Sequence, residues 1–293
     1  MTDSNATTHH STTSVTTTAD GRRIAADLTG PADGPLVLLS TAAPGSRRFD
    51  PDPVATRAAG VRLLTLDRPG YGGSDPLPGG QAPTMTGAAD DAAAVLDDLG
   101  IASVGAAGWS AGGRVVLALA ARRPDLVHSL AVVATPAPHD EVAWIGAEEL
   151  GMIQLLLDDP EPVTTLCAML APMTADPSAA VEQLCAGAAD AATLDDPAVR
   201  DAIVAMLAEA LAQGPVGLAT DLVSYTVNDW GFDARSVGAP MRGFYGEDDE
   251  LVVPAHGQWY VDQVADGSLQ VVPESGHLVV CEAWADVLCW LAR

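Results

Sequence analysis

A serine, an acid and a histidine stand in this chain in an order, and in local settings, that could turn an ordinary hydroxyl into a nucleophile. Ser110 lies in Gly108-Trp-Ser-Ala-Gly-Gly113. The residues before it, Ser103-Val-Gly-Ala-Ala107, are small and apolar like a buried strand, and Ala111 to Arg123 reads as a helix. A serine on such a strand-to-helix turn has its hydroxyl thrust out above a sheet, and Gly108 and Gly112 leave room for the tight turn. That hydroxyl needs a base to take its proton, and the base works best when a carboxylate fixes its tautomer. His277 follows an expected strand at Leu269–Val272, and the acidic run Gly246-Glu-Asp-Asp-Glu-Leu-Val-Val-Pro254 follows another at Met241–Tyr245. Both then fall at the carboxyl edge of the sheet, where open α/β sheets bind ligands. Asp249 is the favoured acid and Asp248 the near alternative; Glu247 and Glu250 read as solvated loop carboxylates.

The competing candidates have poorer settings. His128 precedes a strand and should sit at the opposite edge, His139 and His256 suit capping or pocket-lining positions, and His9 and His10 belong to a Thr/Ser-rich tail. Cys167, Cys185, Cys281 and Cys289 form no close C-x-x-C pair and read as buried thiols in a reducing cytoplasm. Neither Cys185 nor Cys281 has a turn setting like that of Ser110. No H-x-x-x-H or Cys/His cluster calls for a metal, and Gly70 to Gly73 fails the dinucleotide pattern, so no cofactor is expected.

The elements that must position these residues alternate. A two-residue turn signal at Asp20-Gly21 joins β-rich runs between Ser14 and Leu28, and Leu36–Leu39 is a continuous apolar run typical of a strand covered on both faces. A helix at Pro53–Ala59, a strand at Val61–Leu66, a helix at Thr86–Leu99 and a strand at Leu130–Ala134 surround the serine turn. After residue 235 come a helix at Pro254–Val264 and a closing helix at Glu282–Leu291. Such alternation predicts a doubly wound, mostly parallel α/β sheet. Residues 137–235 break it with four or five helices, some opened by Asp-Pro caps at Asp176-Pro177 and Asp196-Pro197. The expected organisation is a disordered tail at 1–18, a core domain at 19–136 and 236–293, and a helical insertion at 137–235.

Charge narrows the partners. The formal net charge is -25, and all 14 basic residues are Arg. Nucleic acid and anionic membrane surfaces are excluded as partners, because their phosphates would be repelled. The insertion alone carries 17 acidic residues against Arg200 and Arg235, a formal charge of -15. Its Trp144, Met152, Met169, Met173, Trp230 and Phe232 fit either a pocket lining or packing between helices, the second being the commoner use. The tail lacks a basic segment followed by an apolar core, and apolar runs are too short to span a bilayer. A small-molecule substrate in the cytoplasm is expected, and nothing in the pattern specifies an oligomeric state.

Taken in order and spacing, GWSAGG at 108–113, DRPGYGGSD at 67–75, GEDDELVVP at 246–254 and SGHL at 275–278 resemble the α/β-hydrolase superfamily over nearly everything after the tail. The resemblance implies Ser110 as nucleophile, Asp249 as acid, selected by the G-x-x-D spacing, His277 as base, and the insertion as a lid. A serine nucleophile argues against the haloalkane dehalogenase and epoxide hydrolase branches, which use Asp. It also implies an oxyanion hole made of the backbone N–H groups of Ala43 and Ala111. Here the chain departs from the family, which commonly has His-Gly where this loop has Thr41-Ala42. The reading is a serine hydrolase that cleaves an ester, lactone or amide of a small, neutral or cationic, largely apolar substrate through an acyl-enzyme. The alternative is a non-hydrolytic or carbon–carbon bond cleaving enzyme of the same fold, a lyase or cyclase of natural-product metabolism; a catalytically dead binding protein would require a missing triad residue.

Overall fold

Val37, Leu38 and Leu39 are all buried although successive residues of a strand point to opposite faces. Their sheet must therefore be covered on both sides. The computed structural model describes residues 10–172, 174, 176, 180, 181 and 187–292. Eight strands form its sheet: β1 (His10–Thr17), β2 (Arg23–Gly30), β3 (Leu36–Ser40), β4 (Arg62–Leu66), β5 (Val104–Trp109), β6 (Val127–Val133), β7 (Met241–Gly246) and β8 (Gly267–Val272). Their order is β1-β2-β4-β3-β5-β6-β7-β8. All pairs from β4 onward are parallel, while β2 is antiparallel to both β1 and β4. The expected doubly wound α/β sheet is thus the observed one.

The described helices are α1 (Pro53–Ala59), α2 (Met85–Asp98), α3 (Ala111–Arg122), α4 (Ala147–Leu157), α5 (Pro162–Leu170), α6 (Ala188–Thr193), α7 (Pro197–Ala210), α8 (Val216–Thr226), α9 (Pro254–Gln263), α10 (Val279–Glu282) and α11 (Trp284–Leu291). The alternation of side chains divides the core in two. Leu38, Leu64 and Ala106 pack with Val95 and Leu96 of α2, Val116 of α3 and Tyr260 of α9. Val37, Leu39, Trp109 and Phe244 pack with Trp284, Val287 and Leu288 of α11, joined by Ile203 and Met206 of α7. The insertion also has a small core of its own, where Leu156, Leu166, Leu170 and Val223 bring α4, α5 and α8 together. Asp196 caps α7 as expected, its carboxylate accepting from Ala198 N–H at 2.8 Å ahead of Pro197. Pro177, the second residue of the cap expected at Asp176-Pro177, lies outside the described residues.

The expected disordered tail is corrected from residue 10 onward, because β1 pairs along its whole length with β2. Thr16 is buried and donates to Asp98, and Thr13 donates to Asp27. The connection is also longer than a two-residue turn. Thr18 still pairs with Arg22, leaving three loop residues that end on Gly21 at φ 87°, the left-handed position that three-residue hairpin loops require. The closing helix divides into α10 and α11. No single helix among the described residues is long and apolar enough to cross a membrane.

Candidate active site

β5 ends at Trp109, and Ser110 follows it with φ 54° and ψ -122°, a strained conformation for a residue with a side chain. The turn is held by Ser110 N–H to Val133 O at 2.8 Å and Gly113 N–H to Ser110 O at 3.1 Å. A Cβ on Gly108 would strike Gly113, one on Gly112 would strike the carbonyls of Ser40 and Thr41, and one on Gly113 would overlap Thr135. The glycines thus let the 40–48 loop and β6 close around the serine. Ser110 is partly exposed and Ala111 behind it is buried.

Asp249 follows β7 and is the buried acid of its run, whereas Glu247, Asp248 and Glu250 are exposed. Its two oxygens have separate duties. Oδ1 accepts the N–H groups of Leu251 at 2.9 Å and Val252 at 2.8 Å, and Oδ2 lies 2.9 Å from His277 Nδ1. Burial pushes this carboxyl up, but the hydrogen bond and charge of His277 and the two backbone donors outweigh it and hold the carboxyl below its usual range. A carboxylate can only accept, so Nδ1 carries the proton and Nε2 is left with a free lone pair. That Nε2 is buried and has no hydrogen-bond partner.

His277 lies against the strand that delivers the serine. Its ring is 6.0 Å from that of Trp109, and its carbonyl accepts the Trp109 indole N–H at 3.0 Å. Backbone contacts tie the acid and base loops together, with Asp248 N–H donating to Ser275 O at 3.0 Å. The arrangement supplies an oriented proton acceptor next to the residue preceding Ser110.

His128, His139 and His256 have other partners. His128 contacts Ser103 Oγ at 3.0 Å and Leu291 O at 3.1 Å at the opposite edge, and His139 accepts the N–H groups of Trp144 and Ile145. His256 is fully buried and accepts Ala137 N–H at 3.1 Å. Burial first, and the Arg114 charge second, push its imidazole from 6.5 down to about 4. The unfolded chain therefore binds a proton between about pH 4 and 6.5 that the folded one does not. Stability contributed by the neutral ring is expected to fall as pH drops through that window, by at most about 1.4 kcal/mol per pH unit. Denaturant unfolding at pH 7 and pH 5 checks this: His256→Asn should flatten the dependence, and an undiminished slope in that variant would refute it.

Sequence reasoning missed the cation that organises the 40–48 loop. Arg68, in the DRPG segment, is buried and donates to Thr41 O and Ala42 O, each at 2.7 Å. It also pairs with Asp221 of α8 at 2.7 Å, and Tyr71 donates to the same carboxylate at 2.9 Å. Arg68 thereby ties the loop that carries Ala43 to the helical insertion. A basic residue two positions after a buried strand, in a chain with 14 basic residues, was the available signal. A second buried cation, Arg114, stands one turn beyond Ser110 on α3. It donates to Pro136 O at 2.8 Å and lies 5.4, 4.5 and 5.1 Å from the rings of Trp144, Tyr225 and Trp230.

Of the six residues that fit either a pocket lining or packing between helices, three pack. Met152 joins the insertion's core, Trp230 stacks on Phe232 against α2, and Met169 is exposed; Met173 lies outside the described residues. Cys167, Cys281 and Cys289 form no disulfide and none occupies a strand-to-helix turn; the expectation of buried thiols is corrected, since Cys167 and Cys281 are half-buried and Cys289, on the outer face of α11, is exposed, while Cys185 lies outside the described residues.

Together the sheet order and this turn define a class: the chain has the alpha/beta hydrolase fold. The family model described as alpha/beta hydrolase fold matches residues 35–156, from β3 through the serine turn to α4. Among curated relatives, a pimeloyl-[acyl-carrier protein] methyl ester esterase from Chromobacterium violaceum is 28% identical over 217 residues, 72% of this chain and 75% of that one. A 2-hydroxy-6-oxononadienedioate/2-hydroxy-6-oxononatrienedioate hydrolase from Burkholderia vietnamiensis is 28% identical over 259 residues, 85% of this chain and 82% of that one. Among solved structures, an enol-lactonase from Burkholderia xenovorans superimposes with a TM-score of 0.68 at 19% identity, covering 94% of this chain and 98% of that one. That last likeness is one of fold.

Proposed function

We propose that this enzyme is a serine hydrolase that opens a carboxylic ester or lactone of a small substrate through an acyl-enzyme. The observation that carries the reading is the buried Asp249–His277 pair, whose Nε2 has no hydrogen-bond partner and whose imidazole lies 6.0 Å from the ring of Trp109, the residue before Ser110. Ser110 Oγ attacks the carbonyl carbon while His277 Nε2 takes its proton. Asp249 keeps Nδ1 protonated and steadies the imidazolium. The N–H groups of Ala43 and Ala111 receive the oxyanion. Collapse of the tetrahedral species expels the alcohol, which leaves with the proton from Nε2. Water, deprotonated by the same nitrogen, then releases the acid and restores Ser110.

The helices between β6 and β7 act as the lid in this reading. Their formal charge of -15 favours neutral or cationic substrates over polyanions. Described cysteines outside any disulfide fit a cytoplasmic enzyme. A second reading keeps the same three residues but breaks a carbon–carbon bond beside a ketone. What favours it is the longer match to the dienedioate hydrolase, 85% of this chain against 72% for the ester esterase.

One experiment separates them. A fluorophosphonate probe should label Ser110, identified by peptide mass spectrometry, and short p-nitrophenyl esters should turn over, with activity lost at acid pH where the base is protonated. Labelling without ester turnover would favour carbon–carbon cleavage, and absence of labelling would remove both readings.

A further inference from the structure

The peptide unit joining His277 to Leu278 is held at both ends by side chains from distant parts of the chain. Its carbonyl accepts the indole N–H of Trp109 at 3.0 Å, and its N–H donates to Asp190 Oδ1 at 2.7 Å. Trp109 is the last residue of β5, next to Ser110. Asp190 comes from α6, in the helical insertion, 88 residues before Leu278. It is buried, 3% exposed, and so close to the loop that a Cβ on Gly276 would collide with its carboxylate.

We infer that Asp190 is a positioning residue for His277, through which the insertion fixes the direction of the base; this rests on the proposed Ser110–His277–Asp249 chemistry. The physical argument is one of degrees of freedom. Asp249 holds only Nδ1, so the ring can still swing with its backbone. Once the 277–278 peptide plane is clamped, the Cα–Cβ axis is fixed, and Nε2 has one direction left to point. A shift of about 1 Å in a reacting group can cost 10²-fold in rate, so a clamp that touches no substrate can still set kcat.

The charge of Asp190 has a second effect. The groups whose charges bear on it are His277, Asp249 and Glu282, and burial ahead of all of them pushes its carboxyl above the usual range. Exposed Glu250 lies toward the start of α6, near Gly187, and Glu282 accepts a hydrogen bond from Thr193 at its end. Ionised Asp190 favours the imidazolium, so its charge and its hydrogen bond are separable by substitution.

The test compares Asp190→Ala, Asp190→Asn and His277→Ala with the wild type, below each variant's Tm, with p-nitrophenyl esters and with the rate of fluorophosphonate labelling. Asp190→Ala should lower kcat and the labelling rate by about 10- to 100-fold with KM nearly unchanged, because the residue does not contact substrate. Asp190→Asn retains a carbonyl acceptor for Leu278 N–H and should recover kcat to within about threefold of wild type, with the acid limb of the pH profile moved to lower pH. If His277→Ala is inactive while Asp190→Ala keeps the wild-type kcat and pH profile, or loses only Tm, the inference is overturned and the triad stands. Wild-type turnover in His277→Ala would instead overturn the triad. Should Asp190→Ala fail to fold, an Asp190→Asn profile superimposable on the wild type overturns the inference by itself.

Discussion

Ser110→Ala should lower kcat for the best ester by about 10⁴- to 10⁶-fold, and His277→Ala by a comparable amount. The size follows from what each residue supplies. In the proposed mechanism, without Oγ there is no covalent intermediate, and without Nε2 nothing takes the proton from a hydroxyl whose own ionisation lies far above neutral pH. Because the two act as one unit, the double variant should be no worse than either single one. Such non-additivity is the signature of a shared step. Asp249→Asn should lose about 10⁴-fold, since an amide in place of the carboxylate favours the wrong tautomer of the ring. Three other histidines are poorly placed to substitute: His256 accepts Ala137 N–H at Nδ1, so the proton of its neutral ring sits on the buried Nε2 and no lone pair is left there; His139 accepts the N–H groups of Trp144 and Ile145 at Nδ1; and His128 faces the other edge. Stopped-flow measurement of the p-nitrophenolate burst and of steady-state turnover checks each variant. Residual kcat in His277→Ala within tenfold of wild type would mean that some other group serves as base.

The parts of this site that could be read from the sequence are those encoded locally. Ser110 is announced by the glycines around it, because steric exclusion in a tight turn acts over a few residues. The acid and base follow from chain order, because parallel winding delivers each strand end to the same edge. Asp249 and Asp248 differ by one position, and it is burial that separates them. What was not legible is carried by contacts across the chain. Arg68 and Asp221 are 153 residues apart, and Asp190 and Leu278 are 88 apart. No periodicity ties such pairs together. The Thr-rich start was misread for a different reason. Its composition offers little to bury, yet pairing with β2 satisfies the backbone of residues 10–17 at the sheet edge, and a strand so placed needs few apolar side chains.

Arg68→Met is expected to destabilise the fold by about 3–5 kcal/mol, because it leaves the Asp221 carboxylate buried without its countercharge. Both partners are desolvated, with side chains 1% and 5% exposed, and the guanidinium meets the carboxylate through two nitrogens, at 3.0 and 2.7 Å. Burial alone would favour the neutral guanidine. The charge of Asp221 outweighs it, and the Arg68 pKa is raised rather than lowered. The same cation donates to Thr41 O and Ala42 O. Losing it therefore releases the segment that, in the proposed mechanism, holds Ala43 N–H against a forming oxyanion. One lost donor of that kind lowers kcat by about 10²- to 10³-fold. The two effects part company in the double variant Arg68→Met/Asp221→Leu. With neither charge present, most of the stability should return, since apolar replacements of a buried pair are often neutral or better. Activity should not return, because the carbonyls of Thr41 and Ala42 still lack their donor. Urea unfolding and esterase kcat, measured on both variants, therefore give opposite answers. Recovery of stability and kcat together would show that Arg68 serves only to neutralise Asp221, and that the loop at 40–48 holds its path by its own packing.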